Sequence, residues 1–134
     1  MSNSIATGVA YNDPEFSTVY ATAEIGYAAA AQGTVTQDTS KSTGVTLNTS
    51  SGQITMNNAA LAATTNVAFT LTNNKITAKD VIIFNVAGGN ATAGTYNVFT
   101  STLTAGSATV VLRNISGGSL SEAVVLNFAI IHAQ

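Results

Sequence analysis

The sequence predicts an all-β protein: an antiparallel β-sandwich, jelly-roll-like, of about eight strands, entered through an extended N-terminal arm. Three observations point there. From Gly33 onward, apolar and threonine-rich runs recur with a period of two, the repeat of a strand that buries one face. Glycine and asparagine clusters separate those runs at sandwich spacing. Charged residues make up 7% of the chain, against about 25% in an ordinary soluble domain. Thr, Ser and Asn fill the deficit, since hydrophobic residues stand at an ordinary 46%.

The arm, residues 1–32, differs in composition from the rest of the chain. It holds Asp13, Pro14, Glu15 and Glu24, the aromatics Tyr11, Phe16, Tyr20 and Tyr27, and an alanine run at 28–31. Asn12, Asp13 and Pro14 would cap a helix, but Ser17, Thr18, Val19, Thr22 and Ile25 are poor helix formers. The balance predicts an extended arm with one short helical turn. So much aromatic surface is not left in water, so Tyr11, Phe16, Tyr20 and Tyr27 are the candidate partner-binding residues, docking on the chain's own domain or on a neighbour.

The β-sandwich domain is assigned to residues 33–134. Short strands are predicted at 34–37, 44–48 and 52–56. Residues 66–72 alternate cleanly, with Val67, Phe69 and Leu71 on one face. Residues 80–86 form a nearly continuous apolar run, which predicts a strand covered on both faces. Strands at 95–102, 107–114 and 123–131 complete the set, with glycine turns at 105–106 and 116–119. Residues 57–63 interrupt the pattern and read as a turn, or a single helical turn, where the chain crosses between sheets. Phe69, Phe84 and Phe128 are predicted core residues, and one of Tyr96 and Phe99 should point inward.

Chemistry-bearing groups are sparse. His132 is the single histidine, without a His-x-His or Glu-x-x-His companion, and is expected to be a strand-end residue. The six carboxylates show no calcium-loop spacing, and no Gly-x-Ser-x-Gly elbow is present. Gly88, Gly89, Gly117 and Gly118 lie outside any phosphate-loop context and are turn glycines. The chain is therefore expected to be no enzyme and to need no cofactor and no metal. Cysteine is absent, so disulfides and thiolate chemistry are excluded. Lys41, Lys75, Lys79 and Arg113 are scattered, and the net charge is −2, so no nucleic acid partner is expected. No run reaches a membrane span and the first residues lack the pattern of a secretory signal, so no membrane association is expected and synthesis is placed in a cytoplasm. The sequons at Asn48, Asn90 and Asn114 are what chance gives in so Asn- and Thr-rich a chain.

Four segments carry a resemblance: GTVTQ at 33–37, TSKSTGVTLN at 39–48, GQITMNNAALAA at 52–63 and GSLSEAVVLNFAII at 118–131. Together they resemble the small structural proteins of tailed bacteriophages, in particular capsid decoration or cement proteins. Similar modules also sit in phage fibres and other virion appendages. The resemblance implies a virion protein, made in a bacterial host cytoplasm and located on the capsid surface, with the major capsid protein and further copies of itself as partners. A homotrimer would match the local three-fold axes of a shell. The alternative it leaves open is a fibre or appendage module that presents loop 87–94 to a host-surface glycan. No catalytic residues come with the resemblance.

Overall fold

The computed structural model describes residues 17–133. Tyr11 and Phe16 lie outside the described residues, as does most of the predicted arm's acidic cluster. Residues 17–28 carry no helix or strand, and a single 3-10 turn at Ala29–Ala31 leads into the first strand. Eight strands succeed it: β1 (Gln32–Thr36), β2 (Val45–Thr46), β3 (Ser51–Thr55), β4 (Asn66–Thr72), β5 (Val81–Gly88), β6 (Tyr96–Thr104), β7 (Ser107–Asn114) and β8 (Val125–Ile131). Each falls on or overlaps a run that the sequence marks as a strand.

The strands form two four-stranded sheets, ordered β1-β3-β8-β5 and β2-β4-β7-β6. The expectation of a wholly antiparallel arrangement is corrected here, because both sheets are mixed. β1 runs parallel to β3, and β2 runs parallel to β4. The chain alternates between sheets at its start, so β2 separates β1 from β3 and β3 separates β2 from β4. A strand reached by crossing to the other sheet and back returns in its original direction, which a two-residue hairpin cannot achieve. Only β6 and β7 are neighbours both in sequence and in a sheet, joined by a tight turn in which Gly106 takes φ +82°.

One core draws on both sheets. Sheet 1 contributes Ile54, Leu126, Phe128 and Ile130, and sheet 2 contributes Val45, Phe69, Leu71, Val110 and Leu112. Val67, Phe69 and Leu71 share the inner face of β4 as the alternation predicts, with Phe69 only 2% exposed. The same logic buries Tyr96 and leaves Phe99 outward on β6. The rings of Phe84 and Phe128 pack at 5.7 Å between centroids, tilted by 35°.

Gly33, Gly52, Phe128 and Phe84 stand in one row across sheet 1. A Cβ on Gly52 would lie 2.7 Å from the Gly33 carbonyl oxygen and 2.8 Å from Leu47. The missing side chains are what let Leu47 settle over the β1–β3 end of the core.

The strand predicted to be covered on both faces is not. Ile82, Phe84 and Val86 of β5 pack on the core, while Val81 and Ile83 are 55% and 52% exposed. The reason is that the outer face of sheet 1 is open here: Ile131 of the interior strand β8, paired with Val81, is also 53% exposed. Residues 57–63 form no helix, and Leu61 makes an isolated bridge to Leu120 that closes one end of the core.

Candidate functional site

Three places concentrate polar or exposed side chains: the arm with the sheet 1 face beside it, a carboxylate–histidine pair at one end of β5 and β8, and a buried lysine–glutamate cluster at the other.

The arm is tied to the domain at Tyr27. Its phenol donates a hydrogen bond to the backbone carbonyl of Ile130 in β8, and Gln32 Nε2 donates to the Tyr27 carbonyl at 3.1 Å. N-terminal to that tether, described residues 17–26 are exposed. Val19 is 58% exposed, Tyr20 90% and Ile25 76%. Of the candidate partner-binding residues, then, Tyr27 is seated on its own domain and Tyr20 is not, and the two do not converge on one site.

The outer faces of both sheets are nearly free of charge. On sheet 1 the strand register lines up Thr34, Gln53, Asn127 and Asn85 in one row across all four strands, with Gln53 Nε2 donating to Asn127 Oδ1 at 3.0 Å. A shallow depression of about 590 Å³ lies over this region, lined by Thr34, Gln53, Asn127 and the two inner-row glycines. On sheet 2, Thr70, Thr109 and Thr102 form one row and Thr72, Ser107 and Thr104 the next. Arg113 is the one charged residue on an outward strand position of either sheet. Towards the β5 edge, sheet 1 becomes apolar, where Val81, Ile83 and Ile131 are each about half exposed.

The sequence leaves His132 without a partner, and the register gives it one. Val81 pairs with Ile131, which brings Asp80 opposite His132 one step further along. His132 Nδ1 lies 3.0 Å from Asp80 Oδ2. The enclosed carboxylate also accepts from the Thr77 backbone N–H at 2.8 Å, the Thr77 hydroxyl at 2.8 Å and the Ala133 N–H at 3.3 Å. Burial alone would push its pKa up, but the hydrogen bonds from Thr77, Ala133 and His132 outweigh that and hold it down to about 2. A carboxylate so saturated with donors is a clasp between the ends of two strands, unsuited to proton transfer near neutrality. The sequence signal that could have found the pair is the register, as two residues flanking neighbouring antiparallel strands.

At the opposite end Lys41 is buried, and its ammonium donates to the backbone carbonyls of Asn57 and Glu122. Gln37 joins this loop to the domain, donating to the carbonyls of Lys41 and Thr43 and accepting from the Asn57 N–H. Burial pushes the Lys41 pKa down, and the Glu122 carboxylate pulls part of that back. Glu122 Oε1 accepts from the Ala91 N–H at 2.6 Å, which ties down the loop after β5. The nearby Tyr96 phenol is pushed well above its usual pKa, first by burial and then by Glu122. Nothing in the local sequence marks Lys41, set between two serines, as a buried residue.

Asp80 precedes β5 and Glu122 lies just ahead of β8, so antiparallel pairing places them at opposite ends of that strand pair. At about 3.4 Å per residue this separates them by roughly 20 Å, far beyond the ~5–9.5 Å that a glycosidase carboxylate pair needs. Among the described residues no group of three or more His, Cys, Asp or Glu could hold a metal ion, and no helix is long and apolar enough to cross a membrane. Asn114, one of the three sequon asparagines, is fully buried, and its amide donates to the carbonyls of Leu61, Ala62 and Gly118.

No protein-family model matches the chain, and no curated protein or solved structure matches it either.

Proposed function

We propose that this chain is a virion structural protein that binds the outside of a phage capsid as an oligomer and stabilises the shell. The fold is read as a jelly-roll-like β-sandwich, its two sheets facing each other across the shared core. The observation that carries the proposal is the neutrality of both outer sheet faces, where Arg113 is the single charged residue among rows of threonine, asparagine and glutamine. Hydroxyls and amides are far cheaper to desolvate than ammonium and carboxylate groups, so such faces suit permanent contact with other protein. The two carboxylates with the most elaborate surroundings, Asp80 and Glu122, are committed to fixing strand ends and loops.

A protein bound across subunit junctions adds its binding free energy to the assembled shell and none to separated subunits. The major capsid protein is the proposed partner, and a homotrimer is the proposed assembly because it matches the symmetry of a shell's three-fold positions. In this reading the outer sheet faces pack against shell or sister copies and the arm extends the contact.

The test is co-sedimentation of purified protein with phage capsids stripped of minor proteins. Saturation at an integral number of copies per capsomer, with slower shell loss on heating, is the expected result. Removal of residues 1–30 should leave a folded β domain that no longer binds. A second reading, a fibre or appendage module that binds a host-surface glycan, is favoured by one observation: the Ala91–Glu122 hydrogen bond that holds the exposed loop after β5. Binding to host cells and none to shells would select it.

A further inference from the structure

The single chain carries an exposed apolar arm and an exposed apolar patch on sheet 1. Val19, Tyr20 and Ile25 are exposed at 58%, 90% and 76%, and Val81, Ile83 and Ile131 at 55%, 52% and 53%. The Tyr27 hydroxyl that tethers the arm donates to the carbonyl of Ile130, the residue before Ile131, on the side of β8 that faces β3. The chain's own arm leaves both sets exposed.

β5 is also an edge strand of sheet 1, eight residues long and without lysine or proline. Such an edge offers a row of unpaired backbone donors and acceptors to any extended segment. Residues 17–22, Ser-Thr-Val-Tyr-Ala-Thr, are of strand-forming type and already carry no helix. Charge agrees as well. Glu24 is the one charged residue of the described arm. The end of β5 carries a cleft of about 390 Å³ lined by Lys79, Asp80 and His132, in which the Asp80 carboxylate is already engaged by Thr77 and His132 and Lys79 is the remaining charge. Neither Glu24 nor Lys79 has an ion-pair partner among the described residues.

From these we infer that residues 17–25 of one copy dock on the β5 edge and the Val81–Ile83–Ile131 patch of a second copy, with Glu24 directed to the Lys79–His132 cleft. The inference rests on the proposed oligomeric virion protein and names the surface by which its copies join. The docked segment extends sheet 1 by a strand, covers the patch and sets the Glu24 carboxylate beside Lys79. Since every copy owns both an arm and an edge, the exchange is either reciprocal in a two-fold pair or head-to-tail in a closed ring, the ring being the trimeric case.

The test uses purified protein without any virion, followed by sedimentation equilibrium. The full chain should self-associate. Copies with Ile83→Glu, which damages the edge and spares the arm, should be monomeric, as should copies lacking residues 1–25, which keep the edge and lose the arm. Mixed together, these two should form a one-to-one pair, because one supplies the arm and the other the edge. Glu24→Lys and Lys79→Glu should each weaken self-association about tenfold or more, and their combination in one chain should restore it. Near-ultraviolet circular dichroism checks folding, and Val81→Lys replaces Ile83→Glu if that variant does not fold.

A full chain that stays monomeric overturns the inference. So does self-association that survives both edge variants, or a mixture that fails to pair. Self-association with no binding to capsids would sink the decoration reading alone and leave the exchange standing.

Discussion

Replacing Phe69 with alanine should destabilise the domain far more than replacing Phe99. The two rings sit on β4 and β6 of the same sheet and differ in which way they face. Phe69 is 2% exposed in the shared core, so its removal costs the transfer free energy of the ring and leaves a cavity that rigid sheets cannot close, about 3–5 kcal/mol. Phe99 is 42% exposed and lies on the outer face opposite Val111. Its loss forfeits a little over half of a phenyl transfer of ~1.5–3 kcal/mol and opens no cavity, so about 1–1.5 kcal/mol is expected. Against a total of ~5–15 kcal/mol for a domain, the first change is severe and the second mild. With a urea slope near 2 kcal/mol/M, Phe69→Ala should lower the unfolding midpoint by about 2 M and Phe99→Ala by less than ~1 M. Urea melts followed by circular dichroism, at equal slopes, read this directly. Equal midpoint shifts, or a larger one for Phe99, would put the phase of β4 out by one residue and refute the assignment of the core face.

Gly89 takes φ +77° and a Cβ there would lie 2.0 Å from the Ala123 carbonyl oxygen, whereas Gly94, at φ +76°, has open space around it. Thermal melts should therefore show Gly94→Ala costing about 1–2 kcal/mol from backbone strain alone and Gly89→Ala clearly more. Asn114→Ala removes the hydrogen bonds that its buried amide donates to the carbonyls of Leu61, Ala62 and Gly118 and accepts from Ser116, and should cost about 1–3 kcal/mol in the same assay. Asp80 titrates at about 2 in the fold, below the ordinary carboxylate value. Its contribution is thus fully present above that ordinary value and is lost as pH falls from about 4 towards 2. Asp80→Asn should flatten the acid limb of the stability–pH profile in that window, and an unchanged limb would show that the clasp does not govern acid unfolding.

How much of this is legible from sequence differs from residue to residue. All eight strands fall on runs that the sequence marks, β5 by a continuous apolar run and strands such as β4 by alternation, which is a local consequence of burying one face. Their order is not legible, because the partners of β3 and β8 are some seventy residues apart in the chain and no turn residue specifies a non-local pairing. The composition of β5 misleads in a specific way. A continuous apolar run signals two covered faces, and Val81 and Ile83 are apolar without such cover in the single chain. Pairing explains the other omissions. His132 acquires Asp80, and Lys41 its two carbonyl acceptors, only once distant segments are brought together. Tyr27 shows the reverse, an arm aromatic whose docking the aromatic content anticipates and whose acceptor, the Ile130 carbonyl, only the fold supplies.

The order β1-β3-β8-β5 has a consequence for synthesis. β8 sits in the middle of its sheet and is the last of the eight strands to be made. While it is still absent, β3 has only β1 beside it and β5 has no partner at all, so the apolar face of Ile82 and Phe84 has no sheet to belong to. The β4-β7-β6 half can assemble once Asn114 has been made, and it must then wait with its core face open. Folding of this chain is therefore gated by emergence of residues 125–131, and a ribosome stalled before that point would display a half-sandwich, the species most exposed to capture by chaperones or by other nascent copies.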